Sequence, residues 1–430
     1  MIENAFINIW NKRVGAIHWN SESGFADFEF DPAFSQYGLD VSPLKMPIKE
    51  ASDNIFSFRE LAGSKTFKGL PGLLADVLPD RYGNELINTW LARVGRTSGS
   101  MNPVEMLCFT GKRGMGALEF EPVVPKSANQ ATIVEIGSLV DVAQQILTGR
   151  QSFQSQLSHD EQKSLSDILK IGTSAGGARA KAIVAWNAET GEVRSGQTDA
   201  PEGFTQWLLK FDGVDDSQFG ATWGYGRVEM AYHLMVLDCG IEMTECRLIE
   251  ENGRAHFMTR RFDRPSNNEK LHVQTFCGLM HYDFNDIYSY SYEQLFQTMR
   301  ALRLTYPEAE QMYRRMVFNV MAQNCDDHTK NFAFMMNPQG EWRLAPAYDV
   351  CHAYRPGSAW VSQHALSING KRQGITRDDL LEVGRQMNVK KAPAIIQQIA
   401  ETVAKWHEFA EQVNVEAILR DAIGETLVIL

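Results

Sequence analysis

Three polar residues late in the chain have the types and spacing for phosphoryl transfer. Asp326 is followed five positions later by Asn331, and Asp349 stands beyond two short apolar runs. The first run is Phe332 to Met336, and Asn337-Pro338-Gln339-Gly340 then supplies turn chemistry. Trp342 to Leu344 alternates as a second strand would. A hairpin here would bring Asp349 back beside Asn331 and Asp326. One carboxylate could then orient an acceptor hydroxyl, while an amide and a second carboxylate hold magnesium on the phosphates of ATP. Asp-Asp-His followed by Lys and Asn is also ordinary turn material. The carboxylate at the far end of the hairpin is what gives the spacing meaning, and such a site needs a nucleotide-binding element elsewhere.

Two stretches upstream could bind the nucleotide. Gly172 to Lys181 is a glycine-rich turn containing Ser174, Gly176 and Gly177, with Ile168–Ile171 before it and the apolar Ala182–Trp186 after it. Glycines let backbone N–H groups approach phosphates closely. Ala178 stands where a Walker A lysine would be, and the turn does not follow the G-x-G-x-x-G pattern, so a plain hairpin turn fits its local sequence equally well. In Trp207-Leu-Leu-Lys210-Phe211, one lysine interrupts an apolar strand. A buried ammonium there would need a counter-charge. Glu229, on a predicted helix from Arg227 to Leu237, could provide it, in the manner of the strand lysine and helical glutamate of kinases. A lysine snorkelling to the surface is the alternative.

The elements around these stretches read as an α+β chain. Ala5–Trp10, Gly15–Trp19 and Phe28–Phe30 are predicted strands. Leu86, Ile87, Trp90, Leu91 and Val94 share one helical face, and a glycine-marked turn at Gly114 ends an N-terminal α/β domain, residues 1–125. No catalytic constellation is evident in it. Ala128–Leu147 is helical in pattern and Gly149–Glu161 is rich in Gln and Ser, which marks 126–166 as a linker. Residues 167–263 form a strand-rich small lobe, closed by Cys246–Glu250 and His256–Phe262. Residues 264–430 are mainly helical, with predicted helices at Tyr292–Leu302, Ala309–Gln323, Asp378–Met387, Ala392–Phe409 and Val415–Leu419. A strand-rich lobe, then a helical lobe carrying the hairpin, is a two-lobed protein-kinase-like plan.

Composition narrows the setting. The 430 residues carry a formal charge of -11, which argues against a chain that grips nucleic acid by itself. The six cysteines contain no Cys-x-x-Cys pair, consistent with a reducing cytoplasm. Met1 leads directly into a strand-like segment, and no apolar run is long enough to span a bilayer, so no membrane role is expected.

Several motifs together resemble the HipA family, the kinase toxins of type II toxin–antitoxin modules. They are Asn324-x-Asp326-Asp-His328-x-Lys330-Asn331-Phe, Pro346-Ala-Tyr-Asp349, Arg261-Phe-Asp-Arg264, Ser174-Ala-Gly-Gly-Ala-x-x-Lys181 and Leu73-Leu-Ala-Asp-x-Leu-Pro79. The resemblance implies a serine/threonine protein kinase using ATP and Mg2+, with Asp326 as catalytic base and Asn331 and Asp349 as metal ligands. It implies ATP contacts from the loop residues Ser174, Gly176 and Gly177, from Lys181, from Lys210 with Glu229, and from His328 and Lys330. The backbone from Arg260 to Phe262 would receive adenine, and Ser174 aligns with an autophosphorylated serine. It also implies a cytoplasmic protein substrate of the translation apparatus and a HipB-like helix-turn-helix antitoxin, with operator DNA reached only through that complex. Arg179 stands where the best-known members carry Gln, Arg260 where Glu is frequent, and Gln274-Thr-Phe where Gln-Glu-Asp is often seen. These departures bear on the substrate. A phosphotransferase for a small hydroxyl compound and a regulatory pseudokinase are the competing readings.

Overall fold

The computed structural model describes residues 2–52, 54–122, 136–147, 179–196, 200–214, 223–266 and 269–430. By internal contacts the chain forms two units. The first comprises Met1–Val41, Met46–Gly226 and Arg247–Val273, and the second Ser42–Lys45, Arg227–Cys246 and Gln274–Leu430. The N-terminal domain and most of the strand-rich lobe therefore belong together. The helix Tyr225–Asp238, expected as part of the small lobe, lies almost wholly in the second unit.

Among the described residues the first unit holds two five-stranded sheets. Strands β1 (Asn4–Ile9), β2 (Lys12–Asn20), β3 (Phe25–Phe30), β4 (Phe56–Ser57) and β5 (Leu118–Glu121) form one sheet in the order β4-β3-β2-β1-β5. Ala5, Ile7 and Ile9 are buried along one side of β1, the period-two pattern of a half-buried strand. The helix Pro103–Thr110 is wholly buried. Its start is fixed by Pro103 at the first turn and by the Asn102 side chain, which accepts a hydrogen bond from Glu105 N at 2.8 Å.

Strands β6 (Lys181–Trp186), β7 (Val193–Ser195), β8 (Thr205–Lys210), β9 (Cys246–Glu251) and β10 (Arg254–Arg260) form the second sheet, ordered β7-β6-β8-β10-β9. Helices Arg81–Arg93 and Ile136–Leu147 cover it. Tyr82, Leu86 and Leu139 share a core with Ala182, Val184 and Leu209.

A second junction ties the N-terminal domain to the end of β10. Asp263 is fully buried and takes Arg261 Nη2 at 2.6 Å and Arg264 Nη1 at 2.7 Å, and its Oδ2 accepts from Gly116 N at 2.7 Å. The two guanidinium groups donate onward to Gly114 O, each at 3.2 Å, and Arg264 also to Gly116 O at 3.0 Å. Gly116 has φ +79° and lies so near Val273 that a Cβ would come within 3.0 Å of its backbone nitrogen, so glycine is required there. Arg261-Phe-Asp-Arg264 is thus a clamp on the glycine turn.

The second unit is built on the helix Tyr306–Met321, which is buried along its last two turns. Glu308 secures its start by accepting from Thr305 N at 2.7 Å, and its other oxygen accepts from Leu344 N at 2.8 Å. Strand β11 (His272–Thr275) leads into this unit. It completes a sheet ordered β11-β12-β13 with β12 (Ala333–Met336) and β13 (Trp342–Leu344), the last two an antiparallel hairpin in which Phe334 faces Leu344.

The helix expected over Ala392–Phe409 is two helices, Ala392–Val403 and Trp406–Gln412. Trp406 is buried and donates to Arg420 O at 2.8 Å, which redirects the chain. No helix among the described residues is long and apolar enough to cross a membrane.

The clamp yields a stability prediction. Burial alone would raise the Asp263 carboxyl, but Arg261 and Arg264 hold it well below the usual carboxylate range. Asp263→Asn leaves two buried guanidinium groups without their anion, and should cost about 3–5 kcal/mol of unfolding free energy. Urea denaturation of the full chain measures it, and a loss below about 1 kcal/mol would mean that the clamp is not needed.

Candidate active site

The loop after helix Tyr306–Met321 is positioned by short-range backbone pairing. Gln323 takes a left-handed conformation, φ 51°, which turns the chain out of the helix. Cys325 N then donates to Ala353 O at 3.1 Å and Ala353 N to Gln323 O at 3.0 Å, a parallel bridge that fastens the loop to the segment just after Asp349. Farther along, the Tyr348 hydroxyl donates to Lys330 O at 2.6 Å. These contacts, with the hairpin between them, bring Asn331 and Asp349 to one cleft, whose walls also include Asn319, Asn324, Asp327 and Tyr348.

Asp326 and Asp327 point in opposite senses. The Asp326 side chain is 45% exposed, with Oδ1 3.8 Å from His328 Nε2, so it can meet a ligand from solvent. Asn331 Nδ2 donates to the Asp326 carbonyl at 2.7 Å, closing the five-residue loop on itself. Asp349 has φ 54°, a conformation that costs a non-glycine residue free energy and that Asp tolerates better than most.

Asp327 is buried and accepts from the Tyr292 hydroxyl at 2.8 Å, His364 Nδ1 at 2.9 Å and Ala365 N at 2.7 Å. The network continues from Asn319 Nδ2 to the Tyr292 oxygen at 2.9 Å and from Asn324 Nδ2 to Asn319 Oδ1 at 3.0 Å. Burial and the Asp327 charge push the Tyr292 phenol well above its ordinary value, so it remains a donor. Burial alone would lower the His364 imidazole, but Asp327 prevails and raises it to about 10. Asp327 and His364 thus form a buried ion pair one residue from Asp326. The sequence alone does not single out Asp327, His364 or Tyr292. An aspartate doubled with Asp326 was the one local sign.

The remaining expected site residues are distributed over both units. His328 and Lys330 both flank Phe284, the imidazole 5.3 Å from its ring and the Lys330 Nζ 4.9 Å above it. In the first unit Lys210 ends β8 half-buried, its Nζ 5.8 Å over the Phe257 ring. Lys181 opens β6 and is buried, its Nζ 3.4 Å from Asp80 Oδ2. Arg260 donates to Pro265 O at 3.3 Å, and Phe262 is half-buried beside it. Glu229 is buried on the helix Tyr225–Asp238 of the second unit. Ser174, Gly176 and Gly177 lie outside the described residues.

Known families account for both parts of the chain. The HipA N-terminal domain matches residues 5–121, and the HipA-like C-terminal domain matches residues 173–407, more than half of the chain by itself. The chain belongs to the HipA family. A chain of the Shewanella oneidensis MR-1 toxin–antitoxin complex of HipA, HipB and operator DNA superposes with a TM-score of 0.66. The match covers 98% of this chain and 94% of that one, at 13% identity. A likeness at that identity is one of fold, and it gives this HipA-family chain a kinase-like architecture behind an N-terminal domain. A Haemophilus influenzae protein with a provisional kinase name is 22% identical over 224 residues. That match takes in 44% of this chain, which spans 64% of the Haemophilus protein's length.

The buried pair beneath the loop gives a pH prediction. The folded-state value of His364 is raised above its ordinary 6.5, so its contribution is complete below about pH 6.5 and is lost as pH rises towards about 10. The stability advantage of the wild type over His364→Gln should shrink across that window, by at most about 1.4 kcal/mol per pH unit. Denaturation of both proteins at several pH values reads the difference directly. An advantage that is constant or grows with pH would rule out the charged pair.

Proposed function

We propose that this HipA-family chain is an ATP- and magnesium-dependent protein kinase that phosphorylates a serine or threonine hydroxyl of a cytoplasmic protein. The observation that carries the reading is the loop-and-hairpin geometry. An exposed carboxylate, Asp326, sits on a loop closed by Asn331, and Asn331 shares a cleft with Asp349. In this reading Asp326 accepts the hydrogen of the acceptor hydroxyl and orients its oxygen for attack. Its exposure suits a substrate presented from outside, while the buried Asp327 network keeps the neighbouring backbone from shifting.

The donor set fits magnesium. Among the described residues no three His, Cys, Asp or Glu side chains converge on a metal position. An amide oxygen and one carboxylate in a shared cleft suit a cation that takes few protein ligands and keeps water and phosphate oxygens. Bound with ATP, the ion would neutralise charge on the phosphates. Asn331 and Asp349 would hold it, and Lys210 and Lys181 would face the phosphates.

The named HipB and operator DNA of the Shewanella complex support a helix-turn-helix antitoxin as the partner. The formal charge of -11 favours DNA contact through that partner rather than by this chain alone. Ser174 is proposed as a site of self-phosphorylation, where about -1.5 to -2 added charges would repel the nucleotide.

Asp326→Asn and Asp349→Asn should each lower phosphoryl transfer by at least about a hundredfold while leaving melting near wild type. The assay uses labelled ATP with a cell lysate in one arm and small hydroxyl metabolites in the other. Label in protein, lost in both variants, supports the kinase. Label confined to metabolites would favour the small-molecule phosphotransferase, and undiminished turnover in the variants would remove the site assignment.

A further inference from the structure

The N-terminal domain reaches into the lobe proposed to bind ATP through one carboxylate. Lys181 is 2% exposed, and its ammonium lies 3.4 Å from Oδ2 of Asp80, a residue 101 positions earlier. Asp80 itself has little freedom. Its Oδ1 caps the helix Arg81–Arg93 by accepting from Gly83 N at 2.8 Å, and its carbonyl accepts from Asn84 Nδ2 at 2.6 Å. The same helix packs Tyr82 and Leu86 into the core that includes Ala182, Val184 and Leu209. The carboxylate is therefore delivered to Lys181 by a helix that is itself bolted to the sheet.

The register of that sheet makes the contact consequential. Lys181 on β6 stands directly opposite Lys210 on β8. Directly opposed residues of an antiparallel pair project from one face, and like charges so placed repel. An ammonium as buried as Lys181 is also costly without a counter-charge. Asp80 answers both problems.

We infer that Asp80 is a positioning residue for nucleotide phosphates, holding Lys181 charged and in place so that Lys181 and Lys210 act as one cationic pair. The inference rests on the ATP-dependent reading above. It makes the N-terminal domain a contributor to nucleotide binding, in the role that a helical glutamate has in other kinases.

Calorimetric titration of the full chain with magnesium and a non-hydrolysable ATP analogue tests it. Asp80→Asn keeps a good helix cap, since Asn caps as well as Asp, and removes only the charge. Titrated well below its own melting transition, it should bind the analogue roughly tenfold more weakly, and Asp80→Glu should recover part of the loss. In steady state the change should appear in KM for ATP, with kcat altered by less than about twofold. Once Lys181→Met is present, adding Asp80→Asn should cost nothing further, because the pair acts as a unit. Unchanged or tighter binding by Asp80→Asn, or losses that add independently of Lys181, would overturn the inference while leaving the kinase reading intact. A wild type that binds no analogue would overturn both.

Discussion

The candidate active site depends on one buried carboxylate. Asp327 accepts three hydrogen bonds, from a phenol, an imidazole and a backbone amide, and so ties two segments, the one at Tyr292 and the one at His364-Ala365, to the loop at one point. A buried anion is tolerated only when its acceptor sites are satisfied and its charge is countered, and His364 counters it. Adjacent residues in an extended loop face opposite ways, so fixing Asp327 inward presents Asp326 outward.

The first unit solves a similar problem with a different arrangement. There the buried carboxylate of Asp263 is flanked by two arginines, and the leftover guanidinium donors go to the carbonyls of Gly114 and Gly116. Together with Asp80 on Lys181, it gives the N-terminal domain two polar anchors on the strand-rich lobe, one beside β6 and one after β10. The same domain also makes the apolar contact of Tyr82 and Leu86 with the sheet. Polar anchors set the register of the docking, and apolar burial supplies most of its free energy.

What could be read from the sequence was mainly local. The hairpin follows from two apolar runs around Asn337-Pro338-Gln339-Gly340, and the Asp326-to-Asn331 spacing sets its own loop closure, so both were legible. The role of Asp327 was not, because its partners Tyr292 and His364 are 35 and 37 residues away. Lys181 looked like the margin of a glycine turn, and only the β6–β8 register and Asp80 reveal a buried ionic position. The break at Trp406 has no glycine or proline to announce it, since a tertiary hydrogen bond to Arg420 makes it. Arg261-Phe-Asp-Arg264 was noticed as a pattern, but its clamp on Gly114 and Gly116 joins positions some 147 residues apart.

That separation matters when the chain is made. Gly116 emerges from the ribosome long before Asp263, and β10, which borders β8, arrives after the whole helix Tyr225–Asp238. The N-terminal domain can form its own five-stranded sheet early, but the surface that docks on the second sheet must wait with Tyr82 and Leu86 uncovered. Contacts of such long range are slow to close and leave apolar surface open to wrong partners meanwhile. A nascent chain stalled between Gly116 and Asp263 would therefore display a sticky, half-built lobe, and would be the form most in need of chaperones.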